Sequence, residues 1–201
     1  MAEFRTNFPV EEDKPARKIV FLGDPKVGKT TFIKRYSEYM RDYYRCERFE
    51  GTYLAFTQYV LYLNRFDRRV PIRFLDLPSD TSEESRLDQY PNEINVIVLC
   101  YAVDDLASFA NVWERWIPEF QEYYPDARFY LLGLKCDMRL ELLAANRIPV
   151  NAERGRVVHQ RYRFSGDYLE CSVEGNPQHA RHCMDILIND AFMYEATLRV
   201  E

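Results

Sequence analysis

The chain has 201 residues, of which 47% are hydrophobic and 29% charged, and its formal net charge is −5. This length and composition suit one globular domain with a continuous core. The acidic balance gives no reason to expect nucleic acid as a partner and favours a small-molecule or protein ligand. Because no apolar run approaches the roughly 20 residues of a membrane span, we expect a cytoplasmic protein that reaches membranes only through partners.

The five cysteines are scattered along the chain without C-x-x-C spacing. This pattern indicates reduced thiols and argues against a zinc site. His179, His182 and Cys183 are the one candidate metal cluster, but ligands of a closed metal site usually come from two separated pairs. A solvated first turn of a helix explains these three residues more simply.

The first elements of the chain surround a nucleotide-binding motif. Residues 1–15 are polar, which predicts a mobile leader before a single domain at 16–201. The apolar segment 18–22 predicts a buried strand, and 31–43 predicts a helix. Between them, residues 23–30 match the phosphate-loop pattern G-x-x-x-x-G-K-[ST]. A chance glycine turn is the alternative explanation.

In a strand-loop-helix setting, the backbone N–H groups of this loop and the helix N-terminus face a polyphosphate. Lys29 is then expected to pair with the β and γ phosphates, and the Thr30 hydroxyl to bind Mg²⁺. The residues expected to contact phosphate are Asp24, Pro25, Lys26, Val27, Gly28, Lys29, Thr30 and Thr31.

The rest of the chain alternates strand and helix patterns. Segments 53–64 and 70–77 predict a β-hairpin around the charged turn 65–69. Further strands are predicted at 94–101, 129–134 and 168–171, with helices at 105–123 (interrupted by Pro118), at 152–162 and after Asn176-Pro177. The expected fold is α/β, a mostly parallel six-stranded sheet with helices on both faces. Ligands of such sheets bind at the carboxyl ends of the strands.

Polar residues follow several of these strands. Asp76 closes the second hairpin strand, where phosphate-loop proteins place a carboxylate that organises Mg²⁺. The Asp137 carboxylate can accept two hydrogen bonds from the guanine edge, an edge that adenine lacks, while the Lys135 stem lies over the base. Backbone N–H groups at Ser172 and Val173 are expected to meet the guanine carbonyl. We therefore expect GTP or GDP with Mg²⁺ as cofactors.

At these motifs the chain resembles the Ras-like small GTPases, and among them the Rho family, over residues 16–198. The motifs that carry the resemblance are S-F-x-N-V at 108–112, W-x-P-E at 116–119, G-x-K-x-D at 133–137 and Y-L-E-C-S at 168–172. The span between Asp137 and Ser172 is longer than a Ras protein needs, which is similar to the extra helical insert of the Rho family. Here the insert lies near 139–148 and is shortened. The resemblance implies a phosphate-loop fold and a GTP-dependent signalling switch.

The chain departs from the family at the second switch. The family has D-x-x-G there, whereas this chain has Asp76-Leu77-Pro78-Ser79. Asp80 stands where the family has the glutamine that orients the attacking water, and an anion there is repelled by the γ phosphate. Pro25 and Lys26 also replace small residues of the phosphate loop. We therefore expect slow or absent GTP hydrolysis and assign no catalytic residue.

The family comparison bears on two further positions. Thr52 is the best match to the first-switch threonine that binds Mg²⁺; its competitor, Thr57, leaves too few residues for the hairpin before Asp76. Leu134 replaces an Asn or Thr that ties the base-binding strand to the phosphate loop. Since one neutral hydrogen bond contributes about 0.5–1.5 kcal/mol, this change should weaken nucleotide binding without abolishing it.

The resemblance also shapes the expected partners. Protein effectors and exchange factors are expected at 48–57 and 78–90, and the protein is expected to be a monomer. The chain carries no C-a-a-X cysteine and no glycine after its first methionine, so we expect no lipid anchor. Two other functions remain open: a nucleotide-free pseudo-GTPase that serves as an interaction scaffold, and an ATP-using kinase built on the same loop.

Overall fold

The computed structural model describes residues 16–44, 50–53, 56–65, 68–77, 94–121 and 124–198. Its strands are β1 (Arg17–Leu22), β2 (Glu50–Tyr53), β3 (Phe56–Arg65), β4 (Arg68–Asp76), β5 (Val96–Ala102), β6 (Arg128–Leu134) and β7 (Tyr168–Glu170). Its helices are α1 (Lys29–Tyr44), α2 (Leu106–Asn111), α3 (Ile117–Gln121), α4 (Met138–Ala144), α5 (Ala152–Arg161) and α6 (Pro177–Leu198), with a π-helical turn, Val112–Trp116, between α2 and α3.

The described strands form one sheet in the order β2-β3-β4-β1-β5-β6-β7. Strand β1 pairs in parallel with β4 and β5, and the parallel ladder continues through β6 to β7. Strands β2 and β3 add antiparallel pairs at the other edge. The predicted six-stranded, mostly parallel sheet is therefore present as β1 and β3 to β7. The structure adds one four-residue strand, β2, which the sequence did not reveal.

The predicted hairpin is confirmed with a different boundary. Strand β3 pairs with β4 from Thr57 opposite Asp76 to Arg65 opposite Arg68. All three arginines of the predicted charged turn, Arg65, Arg68 and Arg69, therefore belong to strands. Strand β3 is rich in aromatic and β-branched residues, which favour an extended strand.

Two apolar layers cover the two faces of the sheet. One core packs helices α1 and α6 against β1, β3 and β5, and its residues Ile33, Phe74 and Met184 are each 0% exposed. The other packs α2, the π-helical turn and α3 against the opposite face, with Phe120 at 0% and Trp116 at 1% exposure. Strands β5 and β6 are covered on both faces, which explains why their residues are almost continuously apolar.

Side-chain caps set the starts of several helices. The Asn176 side chain accepts a hydrogen bond from the His179 N–H at 3.0 Å, which confirms the predicted start of α6. Asn151 caps α5 in the same way through the Arg154 N–H at 2.9 Å. Helical spacing of apolar residues predicts one buried face of α6, and the structure buries all of its members except Phe192, which is only partly buried. The buried members are Ala180, Cys183, Met184, Leu187, Ile188 and Ala191.

The three candidate metal-binding residues of α6 differ in burial. Cys183 is buried, and its thiol donates to the Glu170 carbonyl at 3.6 Å, whereas His179 and His182 are exposed. The Cys183 thiol therefore faces the core, while both histidines face solvent. Among the described helices, none combines the length and the apolar character that crossing a membrane requires.

Candidate functional site

The phosphate loop joins β1 to α1 through two glycines in conformations that favour glycine. Gly23 has φ +138° and Gly28 has φ +113°. A methyl group on Gly23 would lie 2.2 Å from the Cys100 carbonyl oxygen of the neighbouring strand β5. Lys26 also adopts a left-handed conformation, with φ +64°. The loop is thus a tightly constrained turn packed against the sheet.

The phosphate loop holds its lysine inside the turn. The Lys29 side chain is 6% exposed, and its ammonium donates to the carbonyls of Gly23 at 2.7 Å and Asp24 at 3.0 Å. Val27 is buried beneath the loop, while Pro25 and Lys26 are exposed. The buried ammonium lies where charge on a bound phosphate would be stabilised most, because water screens it little.

Thr30 and Asp76 form the second part of the site. The Thr30 hydroxyl donates a hydrogen bond to the Asp76 carboxylate, which joins the start of α1 to the end of β4. Burial raises the pKa of Asp76, an effect that the Thr30 hydrogen bond and the positive charges of Lys29 and Lys34 oppose. A hydroxyl and a partly buried carboxylate are hard oxygen ligands of the kind that Mg²⁺ prefers, so this pair fits a magnesium ion.

The third residue predicted to bind the metal lies further away. Thr52 pairs with Thr57 between β2 and β3, and Thr57 in turn pairs with Asp76. The Thr52 backbone is therefore two strand spacings, about 10 Å, from that of Asp76. The structure thus brings Thr30 and Asp76 together and leaves Thr52 on the outer strand. Thr57, its competitor, lies in β3 opposite Asp76, and the choice between the two threonines as the first-switch ligand stays a prediction.

A cavity of about 300 Å³ lies beside the phosphate loop. Gly28 and Thr31 line it from the loop and α1. The four residues predicted to bind guanine, Lys135, Asp137, Ser172 and Val173, line its other walls. Three residues outside that predicted set, Leu134, Met138 and Glu174, complete the lining. One cavity therefore joins all four residues predicted to bind guanine to the phosphate loop.

Asp137 occupies a position that leaves its carboxylate available to a ligand. It precedes α4, and its side chain makes no capping hydrogen bond to that helix. A methyl group on Gly175 would lie 2.7 Å from the Asp137 Cβ and 3.0 Å from the Ser172 hydroxyl oxygen. Only a residue without a side chain allows this close approach. Gly175 therefore brings the loop after β7 against Asp137, a role that the sequence did not reveal.

Lys135 crosses the same region in a left-handed conformation, with φ +59°. Its ammonium lies 3.2 Å from a carboxylate oxygen of Asp104, which follows strand β5. The other oxygen of Asp104 is buried and has no hydrogen-bond partner. The position of Asp104, two residues after a strand that ends at the site, was a signal that sequence reasoning missed.

A buried polar network supports the base-binding loops from below. Arg139, in the first turn of α4, donates two hydrogen bonds to the Glu170 carboxylate of β7, one of them 2.7 Å long, and a third to the Val150 carbonyl at 2.8 Å. The hydroxyls of Tyr168 and Tyr101 also contact Glu170, and burial raises the pKa of both tyrosines. The network ties the Asp137 loop to the Ser172 loop.

Leu134 contacts the phosphate loop through apolar atoms. It is 2% exposed, and a methyl group on Gly28 would lie 3.6 Å from its Cδ1. The side chain thus packs against the loop where a polar residue could donate to it. Asp80, Pro78, Ser79 and the rest of segment 78–90 lie outside the described residues, as do 48–49 and 54–55 of the first predicted contact segment.

The structure combines a mostly parallel sheet, a phosphate loop at the carboxyl ends of its strands and a base-sized cavity beside that loop. This combination defines a phosphate-loop nucleotide-binding protein. The model of the Ras family matches residues 18–189. The chain is 32% identical over 167 residues to the Rho-related protein racI of Dictyostelium discoideum, covering 77% of each protein. It is 33% identical over 166 residues to the GTP-binding protein rhoC of Emericella nidulans, covering 78% of this chain and 56% of that protein.

The chain therefore belongs to the Ras family of small GTPases and is a Rho-like member of it. This result confirms the resemblance that the sequence motifs indicated. Members of this family generally bind GTP and GDP with Mg²⁺ and act through protein effectors and regulators.

Proposed function

We propose that the protein is a GTP-binding signalling switch of the Rho type whose own GTP hydrolysis is slow or absent. The observation that carries the proposal is the shared cavity, because the phosphate loop and the candidate guanine readers line the same space. A cavity that served only as a packing defect would not collect these residues from three different loops. Fold analogy alone would be a weaker argument.

The phosphate half of the proposed site uses three side chains and the backbone of the loop. The Lys29 ammonium would exchange its two carbonyl partners for the β and γ phosphates, since it already lies within the loop. Thr30 and Asp76 would hold Mg²⁺, which when bound neutralises phosphate charge, and the loop from Asp24 to Thr31 would supply backbone N–H groups. Thr52 would join this set only if β2 left its place beside β3.

The base half of the proposed site reads guanine. The Asp137 carboxylate would accept hydrogen bonds from the N1–H and exocyclic amine, and backbone N–H groups at Ser172 and Val173 would meet the carbonyl oxygen. The stem of Lys135, whose ammonium Asp104 holds at 3.2 Å, would cover the face of the base. Adenine offers no matching pair of donors, so GTP is preferred over ATP and the kinase hypothesis is disfavoured.

Slow hydrolysis follows from the residues of the second switch. Asp80 is shorter than glutamine and carries a negative charge that the γ phosphate repels, so it cannot hold the attacking water as a neutral amide does. Pro78 and Ser79 restrict the backbone where the family has a glycine. Signalling would then depend on nucleotide exchange, on abundance and on effectors that contact 48–57 and 78–90.

The nucleotide that remains bound after purification tests the proposal. We expect chromatography of the denatured protein to release mostly GTP. Release of GDP alone would contradict slow hydrolysis while leaving guanine binding intact. Release of no nucleotide, together with a melting temperature that GTP and Mg²⁺ leave unchanged, would refute the switch, because a ligand that binds only the folded state must stabilise it.

A substitution in the second switch tests the hydrolysis argument separately. Asp80→Gln restores the neutral amide, so we expect phosphate release from bound GTP to become at least about tenfold faster. This gain is smaller than the rate effects that residues positioning the attacking water usually have. Glu83→Gln is the matched control, since it removes the same charge from the same segment. Equal rates in both variants would show that charge alone, and not the position of the amide, matters.

The pseudo-GTPase scaffold is the second candidate. Leu134 favours it, because this buried side chain packs against Gly28 through apolar atoms and supplies no hydrogen bond to the loop. The intact Lys29, Thr30 and Asp137 argue against it, since nothing in a scaffold requires a complete phosphate loop beside the cavity that Asp137 lines. The melting experiment described above separates the two functions directly.

A further inference from the structure

The side chain of Asp24 makes contacts outside the phosphate loop. Its two carboxylate oxygens are each held by a different residue: Asn111 Nδ2 donates to one at 2.6 Å, and Trp116 Nε1 donates to the other at 3.0 Å. Trp116 is among the largest fully buried side chains, at 1% exposure. The loop's only acidic side chain is therefore held by two donors from the α2 to α3 segment.

The two donors converge because the helix between them is not an α-helix. In an α-helix of 3.6 residues per turn, residues five apart point about 140° away from each other. In a π-helical turn the hydrogen bonds close between residues five apart, so these residues lie above one another. The turn Val112–Trp116 has this geometry, with the Ile117 N–H donating to the Val112 carbonyl. Asn111 and Trp116 therefore share one face.

The sequence offers a local cause for the wide turn. Pro118 has no N–H to donate to the carbonyl four residues earlier, and its ring would clash with that carbonyl in a regular α-helix. Local widening of the helix relieves this conflict. The guanidinium of Arg115 also lies 4.4 Å from the centre of the Trp116 ring and covers one of its faces.

The contacts matter because Asp24 is an anion inside a loop that binds anions. A carboxylate that turned towards the phosphates would repel them, and in a low-dielectric site this repulsion is weakly screened. Two donors hold the Asp24 carboxylate against α2 and the π-helical turn instead. They also fix the backbone between Gly23 and Gly28, where small displacements weaken every N–H contact with phosphate.

We propose that Asn111 and Trp116 are positioning residues of the phosphate loop. They hold Asp24 away from the phosphates and link occupation of the loop to the segment from α2 to α3. This inference rests on the proposed nucleotide binding at the same loop. It predicts that weakening either contact speeds nucleotide release without changing which base is preferred.

Release of radiolabelled GDP from the full-length chain tests the inference. Trp116→Phe removes the indole N–H and keeps an aromatic ring, while Asn111→Ala removes the other donor at a partly exposed position. We expect each variant to release GDP about 3- to 10-fold faster than the parent. This is the effect expected when one of the two charge-assisted hydrogen bonds to Asp24 is lost and the other remains. The GDP-to-ADP preference should stay unchanged. Trp113→Phe is the matched control, because Trp113 packs edge-to-face against Phe109 instead.

Tryptophan fluorescence supplies a readout that a purely structural role would not move. The chain has two tryptophans, so Trp113→Phe leaves Trp116 as the only emitter and Trp116→Phe leaves Trp113. We expect unlabelled GDP to change the emission of Trp116 and to leave that of Trp113 constant. An emission from Trp116 that GDP does not alter would overturn the link between the loop and the segment.

The outcomes separate this inference from the proposed function. If the parent protein binds neither GDP nor GTP, both fail. If the parent binds GDP and both Trp116→Phe and Asn111→Ala release it at the parent rate, only the positioning role fails. If Trp116→Phe alone unfolds, Asn111→Ala still decides the question, since its side chain lies outside both buried cores.

Discussion

The Thr30 hydroxyl donates a hydrogen bond to the Asp76 carboxylate, which joins the first turn of α1 to the last residue of β4. These residues are 46 positions apart in the chain and meet only because β1 and β4 are parallel neighbours in the sheet. The same neighbours surround Asp76 with apolar groups, which raises its pKa. Neutralising this carboxylate should therefore stabilise the folded protein and weaken its Mg²⁺-dependent nucleotide binding.

Asp76→Asn tests the cost of that buried charge. The folded state binds the Asp76 proton more tightly than the unfolded state, so the stability of the parent falls as the pH rises from the ordinary carboxyl range through the raised pKa. We expect the nucleotide-free variant to melt above the parent at neutral pH and the difference to shrink in acid. Mg²⁺ should no longer strengthen its GTP binding.

Thermal melting across pH, with and without Mg²⁺, measures both effects. Asp126→Asn is the control, since Asp126 is exposed on the turn before β6. A parent and an Asp76→Asn variant with parallel stability curves would show that Asp76 keeps an ordinary pKa.

Asp137→Asn should change the preferred base. The amide presents one acceptor and two donors, so it no longer matches the paired N–H groups of guanine, but it can donate to the extra carbonyl of xanthine. We expect GTP binding to weaken by about 2–4 kcal/mol and XTP to become the preferred ligand. Competition of GTP and XTP against a labelled nucleotide measures this preference.

The exposed Asp167 provides the control, because Asp167→Asn makes the same chemical change away from the cavity. If Asp137→Asn retained the parental preference for GTP over XTP, Asp137 would not read the base and the guanine assignment of this cavity would have to be withdrawn.

Leu134→Asn should strengthen nucleotide binding. The amide can bond to the phosphate loop where leucine makes only an apolar contact near Gly28, and one such bond contributes about 0.5–1.5 kcal/mol. The nucleotide-free variant should be less stable than the parent, since position 134 is buried. Leu134→Met keeps the side chain apolar and is expected to leave GTP affinity unchanged. A GTP dissociation constant that is equal in both variants would contradict this prediction.

The two loop glycines should respond differently to alanine. Both have positive φ, so either substitution strains the backbone by about 1–3 kcal/mol. Gly23→Ala also drives a methyl group to within 2.2 Å of the Cys100 carbonyl oxygen, whereas at Gly28 the nearest atom is 3.6 Å away. We expect Gly23→Ala to unfold or to melt far below Gly28→Ala. Chemical unfolding of both variants measures the difference, and similar midpoints would show that backbone strain outweighs the clash.

The local elements of this protein were predictable from its sequence. Strand β1, the phosphate loop and α1 follow from a short apolar run, two glycines and a helical pattern that are contiguous in the chain. The same holds for the cap at Asn176 and the buried face of α6. Each of these features depends on neighbouring residues, so periodicity and loop chemistry are sufficient to identify them.

Only the tertiary structure decided how distant loops meet. The partners of Asp24, the approach of Gly175 to Asp137 and the ion pair between Lys135 and Asp104 each join separate segments. A further case is β2, whose four residues become a strand only because the edge of β3 is free to pair with them. The order of strands sets these contacts, and strand order depends on packing between distant residues that no local pattern records.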